Sequence, residues 1–90
     1  MFLRKVGVTP DGKNVLAGVY RMFETEGLPL DVLIDALRRN NCVCSWLDFR
    51  EEALAAGMAH ERIISKAREA LVDVYGAAYA DAVVALLSRA

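Results

Sequence analysis

Two thiols and one imidazole are the only candidate partners for nucleophilic chemistry in this chain: Cys42, Cys44 and His60. A thiol attacks as its thiolate and needs an adjacent base or cation to form it. His60 lies in a different segment from the cysteines, so the sequence does not place the groups together. One residue separates Cys42 from Cys44, a spacing too tight for an ordinary structural disulfide. Three residues also fall short of the four ligands of a closed zinc site, so neither a metal nor a cofactor is expected. Asp31 with Asp35, and Glu51 with Glu52, imitate catalytic carboxylate pairs, but solvated helix faces produce the same spacing. Arg38, Arg39 and Arg68 offer a basic patch, and Arg38-Arg39 equally suit the negative end of a helix. Gly7, Gly12 and Gly18 are scattered and lack the lysine context of a phosphate loop. No catalytic constellation emerges, and the chain reads as a non-enzyme.

Composition narrows the class further. Ninety residues suit one domain, and 56% of them are hydrophobic, above the usual share of about 45–50%. Eleven Lys and Arg oppose twelve Asp and Glu, so there is no surplus of positive charge for a nucleic acid. Near-neutrality together with high apolarity favours association. The start, Met1-Phe2-Leu3 followed at once by Arg4-Lys5, does not read as a signal peptide. The apolar stretch Ala77 to Leu87 is about half of the roughly 20 residues a membrane span requires. Two ordinary thiols fit a reducing compartment. A cytoplasmic protein without a membrane segment is expected.

The elements that must position these residues read as helices. Residues 1–12 form an extended arm and a turn at Thr9-Pro10-Asp11-Gly12, with no obvious strand partner. Val15, Leu16, Val19, Met22 and Phe23 recur at three and four, predicting a helix from Asn14 to Glu26 ended by Gly27. Pro29 opens a second helix carrying Leu30, Leu33, Ile34 and Leu37, closed at Asn40-Asn41. Cys42 to Cys44 is a short connector. Ser45 with Asp48 resembles a capping box for a third helix, in which Trp46 falls in phase with Phe49 as a core residue. A fourth runs from His60 to Tyr75, and the fifth, from Ala77 to Arg89, is apolar nearly all round. Gly27 and Gly57 punctuate two stretches that align at one fixed offset, as any two amphipathic hairpins would. The expected fold is therefore all-α: a compact bundle of about five helices, built as two helical hairpins plus a C-terminal helix.

Phe49 to Arg68 resembles a helix-turn-helix DNA-binding motif. Ala53, Gly57, Met58 and Ile63 carry the likeness: a small residue, a turn glycine and two core positions at that motif's spacing. The resemblance implies a second helix in the major groove, with Arg62, Ser65 and Lys66 toward DNA. Glu52 and Lys66 depart from it, since both stand where the family usually has core residues. Tyr20 to Asp31 is similar to a short stretch of alanyl-tRNA synthetases, but the chain has no room for their catalytic domain and no activity follows. In general build the chain is similar to small accessory proteins of phages and prophages.

The last helix points most directly to a role. Tyr79, Val83 and Leu86 form one apolar stripe, and Ala80, Val84 and Leu87 form another. A peripheral helix of a small monomer shows one stripe and a polar back. The expectation is a protein–protein interaction module, with Tyr79, Val83, Val84, Leu86 and Leu87 at a homodimer or partner interface. Binding of DNA through the Gly57 hairpin is the alternative.

Overall fold

The computed structural model describes residues 2–89. The chain opens with β1 (Arg4–Val8) and β2 (Asn14–Ala17), which pair antiparallel. Residues 9–13 join them; the Thr9–Lys13 backbone bond leaves Pro10-Asp11-Gly12 as a three-residue loop, closed by Gly12 in the left-handed conformation (φ 86°). Thr9 organises this turn. Its backbone N–H donates to the Lys13 carbonyl at 2.8 Å, and its hydroxyl oxygen accepts from the Lys13 N–H at 2.9 Å while bonding Asp11. The register shifts at Val6: Lys5 pairs with Leu16 and Gly7 with Val15, leaving Val6 as an extra residue in the edge strand.

After β2 the chain passes through α1 (Val19–Glu26) and α2 (Leu30–Arg39) before returning as β3 (Cys42–Cys44). This strand lies parallel to β2, matching Asn14, Val15 and Leu16 with Cys42, Val43 and Cys44. Parallel neighbours need a long crossover, and the two helices supply it. Asn41 (φ 58°) makes the re-entry and ties it to the hairpin: its carbonyl accepts from the Asn14 N–H, and its side-chain amide donates to the Gly12 carbonyl. The remaining chain is helical, with α3 (Trp46–Ala55), α4 (His60–Tyr75) and α5 (Ala77–Ser88).

One core runs through all five helices and reaches the sheet at Cys44. Phe49, Ala53, Ile63, Ala67, Leu71, Ala80 and Leu87 are fully enclosed. Phe49 sits at its aromatic centre, edge-on to Tyr20 at 5.2 Å and against Trp46 at 5.0 Å. Helix α4 is the spine. It packs most extensively on α5 and next on α2, while α1 lies on α3.

The fold is thus α+β, a three-stranded mixed sheet with five helices, and not the all-α bundle the periodicity predicts. The expected first helix begins five residues late. Asn14–Ala17 is a strand, so the N-terminal arm has a partner after all, and the Cys42–Cys44 connector is the third strand. The packing units also differ. The chain turns through left-handed Gly27 and extended Pro29, and α1 and α2 go to different neighbours instead of closing on each other; α4 with α5 is the extensive helical hairpin.

Gly18 marks the switch from strand to helix. It adopts φ 88° as the residue before α1, a conformation that ends any helix running through it. A Cβ there would stand 1.9 Å from the Phe2 carbonyl oxygen and 2.7 Å from its carbon, both backbone atoms. Gly18→Ala is expected to lower unfolding free energy by about 3 kcal/mol or more, combining a left-handed penalty with a backbone clash. Urea denaturation of the two proteins measures it; a loss below 1 kcal/mol or so, the ordinary surface range, would contradict the contact.

Candidate functional site

Helix α5 is built almost without polar side chains, and the fold uses only one side of it. Ala80, Val83 and Leu87 enter the core and Val84 is half-buried. On the opposite side Ala78, Tyr79, Ala82, Ala85 and Leu86 are all exposed, Tyr79 by 37% and Leu86 by 39%. Their spacing of three and four makes one continuous outward stripe. Asp81 lies off that stripe and bonds the Arg68 guanidinium of α4. Tyr79 stacks on Tyr75 with ring centroids 4.2 Å apart and planes within 13°. Desolvation holds both phenols above their ordinary values, so they remain uncharged at neutral pH.

The end of α5 is fixed from outside the helix. The Arg50 guanidinium of α3 donates to the Leu87 and Arg89 carbonyls at 3.0 and 3.2 Å. His60, at the start of α4, contacts the Leu87 carbonyl at 3.2 Å through Nε2. A cation at carbonyls left open by the last turn satisfies them and opposes the helix dipole. The apolar stripe is therefore held on a rigid support. It carries two of the expected interface residues, Tyr79 and Leu86. Val83 and Leu87 belong to the core instead, and Val84 lies at its margin.

The residues of the DNA-binding likeness are also brought together. Ala53 and Ile63 are fully buried, Gly57 adopts φ 93° in the turn, and Arg62 and Ser65 are exposed on α4. Lys66 is half-buried, with its ammonium 5.6 Å from the centre of the Phe23 ring. Glu61 and Glu69 are exposed on the same helix, so the sign of charge alternates along it. Arg38 and Arg39 bind Asp35 at 2.9 and 3.0 Å, which with the Arg68–Asp81 pair leaves the expected basic patch matched by carboxylates.

The other candidates separate. Cys44 is buried, and burial, with Asp48 and Glu52 nearby, pushes its thiol well above the ordinary range, away from the reactive thiolate. The Cys42 thiol donates to the Asn40 carbonyl, while His60 is engaged at Leu87. Among the described residues no three His, Cys, Asp or Glu side chains gather as metal ligands, and no helix is long and apolar enough to cross a membrane. Glu51 pairs with its neighbour Arg50, whereas Glu52 turns toward α1. Asp31 and Asp35 line a shallow groove with Asp73 of α4.

Compared with known proteins, the chain matches no protein-family model, no curated protein and no solved structure. Its functional reading therefore rests on geometry.

Glu52 is the one strained polar group that sequence reasoning singled out. Its Oε1 is buried without a hydrogen-bond partner, beside Asp48 one turn earlier on α3. Burial raises its carboxyl above the ordinary glutamate value, Asp48 adds to the rise, and the Arg21 backbone N–H and guanidinium and Arg4 pull the other way. A raised folded value favours the protonated form. The cost of Glu52 is thus present above its folded value and disappears as pH falls below the ordinary glutamate range. Glu52→Gln should raise the melting temperature at pH 7 and leave it nearly unchanged at pH 4. Circular dichroism melts at the two values check this, and equal shifts at both would refute it.

Proposed function

We propose that this protein is a non-enzymatic interaction module that self-associates through the outward face of α5. The single observation that carries the reading is that face: five successive stripe positions exposed, apolar and uncharged, on a helix whose other side already fills the core. Isolated exposed apolar residues are normal, but a contiguous stripe on a rigid helix is the signature of a docking surface. Near-neutral overall charge removes the repulsion that keeps copies of a chain apart. A reducing cytoplasm suits its free cysteines.

DNA binding through α3 and α4 is a second reading, favoured by the buried Ala53 and Ile63 at the helix joint and by exposed Arg62. It requires the binding of duplex DNA to weaken steeply with salt. The alternating charge of α4 supports it less than the uncharged face of α5 supports association.

The two readings part on one pair of substitutions. Leu86→Glu puts a charge on the stripe without touching the core, so it should abolish the concentration-dependent rise in light-scattering mass and shift the melting temperature little. Arg62→Ala should leave that mass unchanged. A wild-type chain that stays monomeric up to hundreds of micromolar would end the association reading, and salt-sensitive DNA binding lost in Arg62→Ala would put the second in its place.

A further inference from the structure

We draw no further inference here: the strongest candidate, the groove between α2 and α4 where Asp31, Glu69 and Asp73 gather beside Phe23 and Leu30, is a surface cluster of carboxylates, and nothing in the structure shows what ligand or partner occupies it.

Discussion

The junction at Gly18 holds the sheet and the helical layer in one structure. Its backbone N–H donates to Asp48 of α3 at 2.9 Å, and its Cα face lies against the backbone of Phe2. Two residues earlier, the Leu16 carbonyl accepts from the Ser45 N–H at 2.8 Å, extending the parallel ladder into the cap of α3. Ser45 accepts in turn from the Asp48 N–H, so the residue that starts α3 and the residue that binds Gly18 share a single turn. Helix α1 has no acidic residue in its own first turn, and the Asp48 carboxylate supplies the missing negative charge from another element. Strand, cap and helix start thus depend on a glycine whose side chain must be absent.

That dependence explains where the sequence is readable. Long amphipathic segments declare themselves: α2 and α4 follow their apolar spacing, Ser45 is the cap its type suggests, and Gly27 and Gly76 close their helices. The strands do not. Asn14–Ala17 is four residues long, so each face shows only two, and Val15, Leu16, Val19, Met22 and Phe23 satisfy a helical period as well as a strand followed by a helix. Three residues of β3 offer no period at all. The available signal was Pro10-Asp11-Gly12 between Val6-Gly7-Val8 and Val15-Leu16, a hairpin turn flanked by β-branched residues. What no local pattern reveals is the left-handed Gly18, because its need comes from Phe2 and Asp48, far away along the chain.

The candidate surface was legible in outline and not in phase. An apolar helix with too little polar surface is plain from composition, yet which side faces the core depends on where α4 lies. The answer divides the expected set, sending Val83 and Leu87 inward and Tyr79 and Leu86 outward. The Arg50 and His60 contacts that fix the helix end were invisible, since nothing in sequence joins position 50 or 60 to a carbonyl at 87. Lys66 shows the same limit: a basic side chain that sequence reading turns outward on α4 settles over an aromatic ring of α1.

The extra residue at Val6 has its own outcome for the life of the molecule among its copies. A straight edge strand invites another strand to add to it, which is how sheets grow into ribbons and fibres. Here the ladder is broken in the middle of β1, and Arg4 and Lys5 place positive charge on that border. An incoming strand can match neither the spacing nor the repelled charge of its own counterpart. The β1 border of the sheet is thereby closed to a fourth strand.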